Sequence, residues 1–318
     1  MTETEEISFS SHDGHSTCRG TMWKPAGKPR AVVQIVHGMC EHIGRYAGFA
    51  EALCERGWLV VGIDHVGHGR TTPDANERGV FDPKTGADTL IEDQHFLRML
   101  MSGRVADVPY IVFGHSMGSF VTRCYLGRHG DTIDGCVLSG TAWQSPALLA
   151  VMPGMLSAMA GVRGWGYRSS FVDGLGTGGY NKKFAGTGAQ TGYEWLSRDE
   201  EDCVAYAKDP DCGFVFSLSG YYVLSQLLRE CQTPSAIAEI PKDLPVLLIA
   251  GSDDPVGSYG TGPATAFRVM RKAGMTRTEL SLVKDARHEI LFELEADETI
   301  AEICDWIQTE VVDAKEAD

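Results

Sequence analysis

The 318-residue sequence has no C-x-x-C pair among its nine cysteines, no excess of basic residues and no uninterrupted apolar run of about 18 residues. Each absence excludes something. The cysteines are odd in number and scattered singly from Cys18 to Cys304, which argues against a disulfide framework and a zinc site and predicts a reducing compartment. Lysine and arginine number 28 against 43 acids, a net charge of −15, so nucleic acid and anionic membrane surfaces are poor partners. Part of that excess is local: residues 289–318 hold eleven acids and one lysine, Lys315, as a solvated helix face running into a tail would. Residues Met1–Glu6 lack the basic and apolar regions of a secretion signal, and no run is long enough to cross a bilayer. The chain reads as soluble and cytoplasmic.

Hydrophobic residues make up 43% of the sequence, enough for a sizeable core. Short β-rich runs at 31–36, 58–63, 109–113, 134–138, 245–250 and 278–283 alternate with helical patterns at 45–56, 88–101, 116–128, 264–272 and 290–309. That alternation predicts an α/β fold, with a mostly parallel sheet covered by helices on both faces. It breaks once, from Ser139 to about Ile240, where helices and loops occur without a parallel-type strand. Residues 161–192 of this insertion hold ten glycines, too many for a close-packed element. The prediction is one α/β domain over 1–318 with a cap inserted at 139–240.

Gly114-His-Ser-Met-Gly118 fits the G-x-S-x-G pattern, of which chance alone supplies about a quarter of one match in a chain with 37 glycines and 20 serines. Its context carries more weight. An apolar run ends at Phe113 and a helical pattern starts after Ser116, a sharp strand-to-helix turn that lifts a serine oxygen clear of a sheet. A serine hydroxyl needs a neighbouring base, and on such a turn the partners follow in the order serine, acid, histidine. Only His129 and His288 lie beyond Ser116, and His129 falls at the end of the helix leading away from the serine. His288 follows the last strand and is the candidate base. The acid should follow the strand ending at Ala250. Asp254, fixed by Pro255, is preferred to Asp253, and 139–145 contains no carboxylate. The turn after Val36 frees backbone N–H groups, so Met39 and Met117 are the candidate oxyanion donors, with His37 and His42 holding the loop. Asp64-His-Val-Gly-His68 matches no standard metal spacing and reads as a polar turn.

Several blocks together resemble the monoglyceride lipase and lysophospholipase group of α/β-hydrolases, in its bacterial form. They are His37-Gly-Met-Cys-Glu-His-Ile-Gly-Arg-Tyr46, Asp64-His-Val-Gly-His-Gly69, Gly114–Gly118, Leu196-Ser-Arg-Asp199, Asp209-Pro-Asp-Cys212 and Ala286-Arg-His-Glu-Ile290. The resemblance implies eight strands, a helical cap after the sixth, no metal or cofactor, and Ser116, Asp254 and His288 as the triad. Cys40 departs from it, standing where glycine is frequent in the group. The implied substrate is an ester with one fatty acyl chain, a small-molecule partner taken without nucleic acid and without a transmembrane segment, though the cap could touch a membrane or micelle transiently. The apolar residues of 148–159, among them Met155, Leu156 and Met159, are candidates for the acyl site, in a short helix whose first turn holds Pro153. A soluble aryl or short-chain esterase is the enzymatic rival, and an inactive binding module on the same fold is the rival of another class.

Overall fold

Two strands that the alternation did not reveal open the chain in the computed structural model, which describes residues 2–317. They are β1 (Glu3–Ser10) and β2 (Thr17–Lys24), an antiparallel hairpin. In β1 only Ile7 is buried, so the strand carries none of the apolar signal that marks the others. The six predicted strands follow as β3 (Ala31–Val36), β4 (Trp58–Asp64), β5 (Tyr110–His115), β6 (Gly135–Ser139), β7 (Val246–Gly251) and β8 (Thr278–Val283). They lie in the order β1-β2-β4-β3-β5-β6-β7-β8, with β2 antiparallel to β4 and every later pairing parallel. The sheet is therefore mixed, with its antiparallel part confined to one edge.

Strands β3 to β7 are buried at every residue, which is why they read as continuous apolar runs. Their side chains serve two cores in alternation: Val32 and Val36 pack on one face, Val33 and Ile35 on the other. Helices α1 (Ala47–Glu55), α2 (Gly86–Ser102) and α3 (Met117–His129) cover the first half. Between β6 and β7 lie α4 (Pro146–Arg163), α5 (Ser170–Leu175), α6 (Glu200–Lys208), α7 (Leu218–Cys231) and α8 (Pro234–Glu239). Helices α9 (Thr261–Lys272), α10 (Ala296–Ile307) and α11 (Asp313–Ala317) close the chain.

Helix α4 corrects one expectation. Pro153 lies inside it rather than in its first turn. The start is set seven residues earlier, where Ser145 caps the Leu148 N–H and Pro146 occupies the first turn. Pro153 removes one N–H from the ladder, and the surrounding turns carry the helix through. Among the described residues α4 alone is long and apolar enough to cross a membrane, with mean hydropathy 1.3 and only 17% of that stretch buried. Its apolar surface is largely uncovered. On α2, the buried face includes Asp93 and Gln94, while His95 is only half-buried.

Candidate active site

Strand β5 ends at His115 and α3 begins at Met117, so Ser116 alone makes the turn, with φ 52° and ψ −120°. Few side chains adopt that conformation, and the turn closes around it because Gly114 and Gly118, two positions to either side, carry no side chain. A Cβ on Gly114 would sit 2.3 Å from the Thr122 hydroxyl oxygen. A Cβ on Gly118 would sit 2.0 Å from the Val36 carbonyl oxygen. The Ser116 N–H is tied to Ser139 O at 3.0 Å, which anchors the turn to β6.

His288 follows β8, and its Nε2 lies 2.8 Å from Ser116 Oγ. Its Nδ1 lies 3.0 Å from Asp254 Oδ1, off the axis of the ring N–H, in a pair that is essentially fully buried. Asp254 Oδ1 also accepts the Val256 N–H at 2.8 Å, which aims the carboxylate, and Asp254 Oδ2 makes no hydrogen bond among the described residues. Asp253 points elsewhere, half-exposed and 3.4 Å from Lys183. Burial alone would lower the His288 pKa, but the surrounding carboxylates, Asp254 first and then Glu289 and Glu41, together outweigh burial and raise it above the ordinary value of 6.5. Serine, acid and histidine thus meet although Ser116 and His288 are 172 residues apart. His129 is remote from them, stacked on His95 and paired with Glu92.

The loop after β3 is held at almost every polar atom. Gly38 N–H donates to Glu41 Oε1, Cys40 N–H to His68 Nε2, and Tyr206 donates its hydroxyl to Cys40 O. His37 Nε2 accepts the His65 N–H, which leaves its Nδ1–H to donate to Gly38 O at 2.8 Å. That carbonyl shares a peptide plane with the Met39 N–H, so His37 orients the Met39 amide. The N–H groups of Met39 and Met117 make no hydrogen bond among the described residues. Burial keeps His37, His65 and His68 neutral, with His68 lowered to about 3, as fixed donor–acceptor roles require. Cys40 adopts φ 59° in this loop, a left-handed conformation that suits the glycine common in the resembling group.

Met155, Leu156 and Met159 all lie on α4, but not alike. Leu156 is fully buried in the core, whereas Met155 and Met159 are half-buried against it. Other contacts were not anticipated. The Trp195 ring lies over His288 at 5.3 Å, and the carbonyls of Trp195 and Leu196 accept the N–H groups of His288 and Glu289. Their signal was the resemblance of the Leu-Ser-Arg-Asp and Arg-His-Glu blocks to the same group, whose mutual contact no local pattern reveals.

One group among the described residues is close enough to hold a metal: His42, Asp209 and Cys212, with ligand atoms within 4.8 Å of one another. Its chemistry fits a metal poorly. His42 Nδ1 accepts the Gly44 N–H, so Nε2 carries the proton it shares with Asp209 at 3.0 Å, and burial drives the Cys212 thiol pKa far up. A groove of about 460 Å³ between α1 and α10 contains none of Ser116, Asp254 and His288. The convergence of polar groups, not cavity size, singles out the site.

Comparison with known proteins gives the family and the fold. A family described as serine aminopeptidase, S33, matches residues 27–295. A monoacylglycerol lipase of Mycolicibacterium smegmatis is 35% identical over 135 residues, 41% of this chain and 46% of that protein, so the match spans less than half of that relative. A thermostable carboxyl esterase from Bacillus coagulans superposes with TM-score 0.88 at 30% identity, covering 98% of this chain and all of that one. A lipase in its open form superposes with TM-score 0.83, also at 30% identity, covering 97% and 99%.

Proposed function

We propose, from the premise that the chain belongs to the serine aminopeptidase S33 family, that it hydrolyses carboxylic esters through an acyl-enzyme on Ser116. The observation that carries this reading is the 2.8 Å contact of Ser116 Oγ with His288 Nε2, backed by buried Asp254, on a turn facing two free amides. Ser116 Oγ attacks the ester carbonyl and its proton passes to His288 Nε2. The Met39 and Met117 amides receive the negative charge on the carbonyl oxygen. Collapse expels the alcohol, which takes the proton back from His288. Water then repeats the sequence on the acyl-enzyme and releases the carboxylic acid. Every step uses groups of this chain and none calls for a cofactor.

His288 must be neutral to accept that proton. Its pKa is raised, so kcat/KM should fall on acidification with a midpoint above 6.5. A pH–rate profile with a soluble aryl ester checks this, and a midpoint near 5 would remove His288 as base.

We further propose a single-chain lipid ester as substrate and 139–240 as a cap over the site. Support comes from the cap's own surface. Leu148, Val151 and Val162 on α4, with Phe171 and Leu175 on α5, are large apolar side chains left exposed. Exposed apolar side chains of this kind suit contact with lipid. The net charge of −15 favours neutral monoacylglycerols over anionic lysolipids. All nine cysteines are free and buried, which fits a reducing, cytoplasmic setting. The test is kcat/KM across acyl chains of about two to eighteen carbons, each buried methylene contributing about 0.8 kcal/mol. Met155→Asp and Met159→Asp should flatten the preference for long chains. Leu156 is unsuitable for this test, because a charge at a fully buried position would unfold the cap first. Faster cleavage of acetyl esters, unmoved by either aspartate, would favour a small-ester esterase.

A further inference from the structure

Arg45, in the turn just before α1, is buried, with 8% of its side chain exposed, yet it meets three carboxylates from three separate segments. Its guanidinium grips Glu289 with two nitrogens, at 2.6 and 2.8 Å. It reaches Glu41 at 3.0 Å and Asp202, on α6, at 3.4 Å. The Phe292 and Tyr206 rings lie against it at 4.3 and 4.8 Å. Two of these acids belong to the reacting loops. Glu289 adjoins His288. Glu41 takes the Gly38 N–H at 2.5 Å and the Tyr46 hydroxyl at 2.8 Å, so it holds the peptides leading to Met39. A planar fork grips both oxygens of Glu289 through two separate nitrogens while still reaching Glu41, a fixed geometry that the single nitrogen of a lysine does not reproduce.

We propose that Arg45 is a positioning residue, resting on the serine-hydrolase reading above. It ties the loop presenting the Met39 amide to the loop presenting His288, and it balances the two carboxylates beside that histidine. Three acids around one cation would leave a buried negative excess. Burial and the nearby Glu289 push the Asp202 carboxyl up to about 7, and its Oδ2 has no partner among the described residues, so Asp202 holds the spare proton below neutrality. The charged groups that act on His288 are then Asp254, Glu289 and Glu41, with Arg45 acting through the two glutamates it pairs, His115 neutral beside the ring and Tyr180 protonated near Asp254.

The test is the pH profile of kcat/KM for a soluble aryl ester, taken in an Asp202→Asn background so that this carboxyl does not titrate within the range. Arg45→Gln leaves Glu41 and Glu289 unbalanced, so the acid limb should move up by about 0.5 to 1 pH unit. Glu289→Gln should move it down by a similar amount, and the double variant should return it close to the starting position. Arg45→Lys keeps the charge and loses the fork: the limb should stay, while kcat falls about tenfold with KM within about twofold. Should Arg45→Gln fail to fold, judged by circular dichroism, the other two single variants decide. Limbs that do not move, limbs that move the same way in both neutralised variants, or full kcat in Arg45→Lys would overturn the proposal. Ser116→Ala measured alongside separates the failures. Hydrolysis surviving it overturns the underlying reading as well, whereas serine-dependent hydrolysis with unmoved limbs overturns this inference alone.

Discussion

Ser116→Ala and His288→Ala are each expected to lower kcat for ester hydrolysis by about 10⁴- to 10⁶-fold, and the double variant to be little worse than either alone. The reason is that neither group works without the other. An alanine at 116 leaves no oxygen to attack, and an alanine at 288 leaves the serine proton without an acceptor 2.8 Å away. Asp254→Ala should cost about 10³- to 10⁴-fold, because the imidazole loses both its orientation and the charge that stabilises its protonated form. Asp253→Ala is the internal control. Its carboxylate is half-exposed and faces Lys183, so activity should stay within about threefold of the parent. Steady-state rates on one soluble ester check all four. A reversal of the two aspartates would reassign the acid.

Gly118→Ala is expected to cost about 10²- to 10³-fold in kcat, the loss that follows removal of an oxyanion donor, along with a clear fall in thermal stability. The added methyl group would meet Val36 O at 2.0 Å and His37 O at 2.5 Å. Both are backbone atoms at the end of a central strand, so no side chain can swing aside. Either α3 lifts from the sheet or the loop after β3 is pushed away, and each movement separates the Met117 and Met39 amides. Thermal unfolding and kcat on the purified variant check this, and a variant equal to the parent in both would show that the turn tolerates a side chain.

Where the chain announced its structure, the physical reason is local. Strands β3 to β7 are sandwiched between two helical layers, so they must be apolar on both faces, and such runs stand out. The hairpin β1–β2 lies on the sheet edge with most of β1 in solvent, and its run of Glu, Thr and Ser, with only Ile7 and Phe9 apolar, looks like any polar segment. In α4 a proline suggested a helix start, but Ser145 and Pro146 form a stronger one, and the earlier signal wins. The candidate triad was legible because a strand-to-helix turn and a chain-order rule leave few residues to choose from. Arg45 was not. Its principal partner, Glu289, is 244 residues away, and neither residue type nor spacing links them before the chain is folded. The same holds for Trp195 over His288, two residues brought together only by the packing of the inserted segment on the final loop. Long-range polar pairing is what the linear pattern does not encode.

The most direct test of the account is covalent labelling with a fluorophosphonate, followed by mass mapping of the modified peptide. The reagent reports an activated serine whatever the true ester proves to be. The account predicts one adduct per chain, on Ser116, absent in Ser116→Ala and strongly slowed in His288→Ala. An unlabelled protein, or an adduct on another serine that persists without His288, would contradict it.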